Sequence, residues 1–314
     1  MTNFQQTLST ITDYIKADIF PGASLALYDG QDWQEHYLGT QDGKHPVVPG
    51  LTYDLASVSK VVGVGTLCLF YLQEGKVDLD EKLSTYYPAV ADKTLTLRQL
   101  LSHSSGIDPF IPNRDALDQE GLIAAINAIK VKADKPFLYT DINFILLGLM
   151  LEKVSGQTLD KLFDSEIFQP FGMSETQFGP VDFAVPTVEG IPGGTVHDPK
   201  ARVLKEHTGS AGLFSTLKDL EIFVNHYLTD NFAKNMTQNI SQSNKERSVA
   251  WDLQGDWILH TGYTGTFVLI NIPAQRAAIF LSNRTYYKDE RTQWIKDRDA
   301  LIEIMKEELV HSDK

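Results

Sequence analysis

Hydrophobic residues recur at helical spacing from the start of the chain, at Phe4, Leu8, Ile11, Tyr14 and Ile15, which predicts an amphipathic helix over residues 3 to 19 that ends at Pro21-Gly22. Two strand-like apolar runs follow, residues 23–28 and 33–38, joined by Asp29-Gly30-Gln31-Asp32. Asp-Gly between such runs signals a hairpin. From about residue 56 to residue 230 the period becomes helical, with candidate helices at 97–101, 121–129, 143–154, 159–168 and 217–228. Strand signals return after Arg247, at 249–253, 257–260, 266–272 and 276–281, and a closing helix is expected from about 288 to 310. Strands from both ends around a helical middle predict an α/β (α+β) fold. One antiparallel sheet of N- and C-terminal strands is flanked by helices, and the middle forms a mainly helical second lobe. The expected division is 1–55 plus 247–314 against 56–246, with an active site in the cleft between them.

Composition narrows the possibilities. A chain of 314 residues that is 42% hydrophobic and 22% charged can bury a large core and is no disordered polymer. With 28 Lys and Arg against 41 Asp and Glu, the net charge of -13 repels a phosphate backbone, so nucleic acid is excluded as a partner. The first residues lack a basic segment followed by an apolar one, and no run of about 18 or more apolar residues stands out, so the expectation is a cytoplasmic protein without a membrane partner. Cys68 is the single cysteine and lies in an apolar run, which reads as a buried structural thiol. The eight His show no His-Glu-x-x-His spacing, so neither a metal nor a cofactor is expected.

Candidate chemistry begins at Ser57-Val58-Ser59-Lys60. Residues three apart share a helix face, so hydroxyl and amine can meet, and Ser57 would lie in a first turn where the orphan N–H groups favour developing negative charge. The apolar run after it ends at Gly75, which reads as a helix stop. The chain holds a second match, Ser215-Thr216-Leu217-Lys218, in which Thr216 and Asp219 look like a capping pair, so a structural role explains it. Two further segments carry usable groups. Tyr139-Thr140-Asp141 leads from an irregular stretch into an apolar helix, and His260-Thr261-Gly262 follows a short strand.

In this order the three segments resemble the serine penicillin-recognising family of class C β-lactamases, D,D-carboxypeptidases and related esterases. That family carries Ser-x-x-Lys, then Tyr-x-Asn, then Lys-Thr-Gly or His-Thr-Gly. Further similar segments are Leu100-Leu101-Ser102-His103-Ser104-Ser105-Gly106, Gly194-Thr195-Val196-His197-Asp198 and Ala211-Gly212-Leu213-Phe214-Ser215-Thr216, so the resemblance covers about residues 10 to 310. It implies a β-lactamase/transpeptidase-like fold and a serine hydrolase that forms an acyl-enzyme on small esters or amides. Ser57 would be the nucleophile and Lys60 or Tyr139 its base, with His260 beside them. Asp141, Thr261 and Gly262 would contact substrate, and the backbone N–H groups of Ser57 and Tyr263 would hold the oxyanion.

Two departures modify that expectation. Asp141 stands where the family often has Asn, and a carboxylate near Lys60 favours its ammonium form, which weakens Lys60 as a base. His260 replaces Lys, so the site is expected to lack the fixed cation that a substrate carboxylate needs, which argues for weak or no β-lactamase activity. The alternative is a penicillin-binding or sensing module acylated at Ser57 without efficient turnover. His103 reads as a local hydrogen-bonding residue, and His197 and Asp198 as loop structure near the cleft. Specificity is assigned to loops at about 108–119 and 182–206, and the oligomeric state is left open.

Overall fold

The computed structural model describes residues 4–311. Six strands form one antiparallel sheet in the order β2-β1-β9-β8-β7-β6, built from β1 (Gly22–Tyr28), β2 (Trp33–Gly39), β6 (Asp252–Gln254), β7 (Trp257–Thr261), β8 (Phe267–Asn271) and β9 (Arg276–Ser282). Strands from the two ends of the chain meet where β1 pairs with β9, with Leu25 opposite Phe280. Helices Gln5–Lys16 and Arg291–His311 cover one face, against Leu25, Leu27, Leu259, Leu269 and Phe280. The other face, carrying Ala26, Ile258, Val268, Ile270 and Ile279, meets the helical middle of the chain. Because both faces are covered, the central strands read as unbroken apolar runs rather than alternations. Period two along β7 turns His260 to the same face as Ile258, towards the helices.

A second sheet, β3-β5-β4, consists of β3 (Thr52–Asp54), β4 (Gln177–Phe178) and β5 (Leu213–Thr216). None of its strands was expected from sequence, since two to four residues are too few to show a period. It joins the segment before Ser57 to the helical middle. Helix Asp141–Ser155 is apolar on every side and runs through that middle, buried over ten consecutive residues from Ile142 to Leu151.

Three local expectations change. The strand expected at 249–253 is displaced to Asp252–Gln254, because Ala250 adopts φ +71° in a turn where the Ser248 N–H donates to the Trp251 carbonyl at 3.0 Å. The helix expected over 159–168 is α-helical only for Leu159–Phe163 and widens to a π-turn at Asp164–Phe168. The run after Ser57 is similarly widened, with a π-turn at Val61–Gly65 before helix Thr66–Gln73, and the Thr66 hydroxyl donates to the Val61 carbonyl at 2.7 Å. Residues 56–73 as a whole have a mean hydropathy of 1.3 and the length of a membrane span, although Ser57, Ser59 and Lys60 keep them from being a continuous apolar run. Most of that segment is buried inside the fold, Cys68 included, which is the behaviour of a core helix.

Candidate active site

The site starts at a strained corner. Beyond β3, Asp54 accepts the Ala56 N–H at 2.8 Å, and Ala56 takes φ +46°, a left-handed conformation that costs a non-glycine residue energy. The corner turns the chain into a 3-10 turn, Ala56–Val58, and presents Ser57 at its rim. Ser59 secures the next residue pair by accepting the Leu213 N–H from β5 at 3.1 Å.

Lys60 lies beneath Ser57 with a fully buried side chain. Its Nζ donates to Ser57 Oγ, Asp141 Oδ1 and the Ser210 carbonyl, each at 2.8 Å. An ammonium has three N–H groups and these three acceptors use all of them, so in the protonated form that the Asp141 carboxylate favours, the lysine has no lone pair to take a proton. Burial by itself would depress the Lys60 pKa, but the Asp141 carboxylate, with Tyr139 beside it, outweighs burial and raises it. Burial would likewise raise Asp141, and Lys60 and Lys200 together hold it well below the usual carboxylate range instead. Asp141 opens its helix behind the N-cap Thr140, and its second oxygen meets Lys200 Nζ at 3.0 Å.

Tyr139 stands over this pair, its ring centroid 5.1 Å from Lys60 Nζ and 4.4 Å from the ring of His103. His103 grips the tyrosine from both sides in sequence. Its carbonyl accepts the Leu138 N–H at 2.8 Å, and its Nδ1 accepts from Thr140 N at 3.4 Å and from the Asn143 amide at 2.9 Å. Two donors at Nδ1 assign the proton to Nε2, and burial, followed by the nearby cations, pushes the His103 pKa well down, so the ring is neutral. His260 is buried and neutral for the same leading reason, and its ring centroid is 6.3 Å from that of Tyr139.

After β7 the chain folds back on the Ser57 corner. Thr264 Oγ1 donates to the Asp54 carbonyl and Thr266 Oγ1 to the Leu55 carbonyl, each at 3.0 Å. Gly262 is required here, since a Cβ would stand 2.1 Å from Thr266 Oγ1 and 2.7 Å from the Leu55 carbonyl. Arg284 fixes the Tyr263 carbonyl at 2.8 Å. Ser57, Lys60, Tyr139, Asp141, His260, Thr261, Gly262 and Tyr263, far apart in sequence, are thus gathered at one place between the larger sheet and the helices.

Residues 9–302 match the Beta-lactamase family. The chain belongs to that family. Among its relatives, a protein of Escherichia coli named "Putative D-alanyl-D-alanine carboxypeptidase" is 26% identical over 303 residues, which span 76% of this chain and 70% of the relative. Two solved structures share the fold. One, titled "EstCE1, a hydrolase with promiscuous acyltransferase activity", has TM-score 0.77 and 19% identity, covering 95% of this chain and 98% of that one. A β-lactamase/D-alanine carboxypeptidase from Yersinia pestis also has TM-score 0.77, at 16% identity, with 98% of each chain covered. This member of the beta-lactamase family is a hydrolase of the β-lactamase-like superfamily.

Tyr139 separates two cavities of this beta-lactamase fold. One, about 470 Å³, contains Ser57, Asp141, His197, Lys200 and Tyr263, and is edged by Pro109, Ile111 and Arg114 from the first of the two loops assigned to specificity. The other, about 430 Å³, contains His260, Thr261, Lys245, Arg247 and Arg298, together with the carboxylates of Asp252, Asp299 and Glu303. The expectation that His260 leaves the site without a fixed cation is therefore corrected. Arg247 is buried beside it, held by the Ala250 carbonyl at 2.9 Å and by Asp252, and Arg298, paired with Asp299 at 2.7 Å, donates to Thr261 Oγ1 at 3.3 Å. Sequence reasoning missed Arg247, Arg298 and Lys200. An arginine 13 positions before His260 and another on the last helix carry no local signal, and Lys200 was recognisable only by its nearness to Asp198.

Proposed function

We propose that this hydrolase acts through an acyl-enzyme on Ser57, cleaving amides or esters whose leaving group bears a carboxylate. The observation that carries this reading is the Lys60 ammonium with all three N–H groups engaged, one of them on Ser57 Oγ. A charged lysine orients the hydroxyl and leaves the proton to Tyr139. Ser57 Oγ attacks the carbonyl carbon while the Tyr139 oxygen receives its proton and passes its own phenolic proton to the leaving nitrogen or oxygen. The C–N or C–O bond then breaks, and water returns along the same relay to free the acid. The N–H groups of Ser57 and Tyr263 are assigned to the oxyanion, each worth about 2.7–4 kcal/mol in the transition state.

Arg247, Arg298 and the Thr261 hydroxyl around the second cavity favour the carboxylate on the leaving side. The printed name of the Escherichia coli relative agrees with such a substrate. β-Lactams carry a carboxylate too, so the sequence argument against them lapses. Capture without turnover is the second reading, favoured by the same saturated Lys60, because only Tyr139 remains to activate the deacylating water.

The test is intact-mass analysis after exposure to a nitrophenyl ester or a penicillin, with hydrolysis of D-amino-acid dipeptides bearing free or amidated C-termini. An adduct on Ser57 that disappears in Ser57→Ala, and a preference for the free C-terminus, are expected. Unchanged turnover in Ser57→Ala would sink the acyl-enzyme, and equal rates on the two dipeptides would remove the carboxylate requirement. A stable penicillin adduct without hydrolysis of any substrate would support capture.

A further inference from the structure

Lys200 takes no part in the scheme above, yet its ammonium completes an alternating row of charges beneath the nucleophile. Lys60 meets Asp141 at 2.8 Å, Asp141 meets Lys200 at 3.0 Å, and Lys200 meets Asp198 at 3.2 Å. The row is sheltered, with side-chain exposures of 0% at Lys60, 24% at Asp141, 14% at Lys200 and 20% at Asp198. Lys200 is placed by the short helix Pro199–Leu204, whose N-cap is Asp198, with Oδ1 accepting the Ala201 N–H at 2.8 Å and Oδ2 facing the lysine.

We infer that Lys200 is a positioning residue of the Ser57 site: it clamps the outer oxygen of Asp141, so that Lys60 faces one half of a neutral Asp–Lys pair rather than a lone, mobile carboxylate. The inference rests on the acyl-enzyme reading. A lone carboxylate at this place would bring a negative charge towards a site where the tetrahedral intermediate also develops one, and it would be free to rotate away from Lys60. With Lys200 in place the pair is neutral, Oδ1 stays on Lys60 and Oδ2 is occupied. The other groups facing Asp141 add no competing charge, since His103 and His260 are neutral. Tyr139 lies on the Lys60 side. Around Asp198 the further neighbours are His197, which burial keeps neutral, Arg202, and the buried Asp54.

A cycle of variants tests this: Lys200→Met, Asp141→Asn, the double variant and Lys200→Arg. The readout is the rate of Ser57 acylation by p-nitrophenyl acetate, followed by stopped flow and intact mass between pH 5 and 9. This ester has no carboxylate, so the outer arginines do not enter. Each single neutralisation is expected to slow acylation by about 10- to 100-fold. The double variant, which restores a neutral position 141, is expected to recover to within about threefold of the wild type, and Lys200→Arg to stay within about threefold, since both keep the charge balance. Thermal melts accompany each protein, and Lys200→Gln carries the same expectation should Lys200→Met not fold. Additive losses in the double variant, or a loss in Lys200→Arg as large as in Lys200→Met, would overturn the inference while leaving the acyl-enzyme standing. Absence of any adduct on wild-type Ser57 would overturn both.

Discussion

The protein contains two Ser-x-x-Lys segments of equal spacing, and the fold gives them opposite fates. Lys60 has a fully buried side chain ringed by three acceptors, one of which is its own serine. Lys218 has a side chain 65% exposed and reaches Glu35 and Glu221, while Ser215 faces inward from β5 and shares a 2.7 Å hydrogen bond with Thr176. The first pair sits on one helical turn, and the second straddles a strand and a helix. Spacing brings hydroxyl and amine together only if the backbone between them is helical, and burial with a carboxylate then decides what the amine can do.

The sharpest break of this comparison is serine truncation. Ser57→Ala is expected to cost at least about 10⁴-fold in kcat/KM. Ser215→Ala should keep full activity and lose about 1 kcal/mol of stability, measured by urea titration, because Thr176 retains Asp219 as a partner at 2.7 Å. The lysines should differ by less. Lys60→Met is expected to lose about 10³-fold in steady-state turnover, whereas Lys218→Met should stay within about 0.5 kcal/mol of the wild type on unfolding and within error on activity.

Each segment also has a buried carboxylate with a raised pKa, Asp54 before the first and Asp219 after the second. Burial, the leading cause, pushes Asp54 to about 6. The folded protein therefore holds a proton that the unfolded chain loses near pH 4, so this contribution is complete at low pH and declines as pH rises through about 6. Measured as wild type minus Asp54→Asn, unfolding free energy should fall by about 3 kcal/mol between pH 3.5 and pH 7 and stay flat above. A flat difference would mean that Asp54 is ionised in the fold throughout. Within the site, the smallest effect concerns Tyr139. His103→Phe keeps a ring under it but loses the Nδ1 acceptor, and about a tenfold fall in kcat at unchanged KM is expected; a matching rise in KM would assign His103 to substrate binding instead.

Much of this architecture is visible in the chain. Strands β1 and β7 to β9 appear as apolar runs because both faces of the sheet are covered there, the hairpin to β2 is marked by its Asp-Gly turn, and the first helix by its amphipathic period. The pair Thr216 and Asp219 does cap its helix, with the Thr216 hydroxyl accepting the Asp219 N–H at 3.2 Å, although the Asp219 carboxylate turns to Thr176 and Glu175 rather than back to the cap. The effect of Asp141 on Lys60 was also legible, because it depends only on which residue types meet. What stayed hidden depends on contacts over long separations. Lys200 lies 59 positions from Asp141 and 140 from Lys60, and Arg247 reaches the site through the turn that Ala250 makes. Neither periodicity nor composition reports such meetings. The strands of the smaller sheet are hidden for a different reason, since β3 and β5 are specified by pairing with each other and not by their own pattern.

The two threonine hydroxyls that reach back from residues 264 and 266 to the carbonyls of Asp54 and Leu55 have a consequence for motion. They fasten the backbone next to Tyr263 directly to the corner that carries Ser57, a tie that resists separate movement of the two. With Ser57 and Tyr263 in the proposed roles, those two hydroxyls set the width of the mouth between them, and gating of substrate traffic is expected to fall to the loops at its rim.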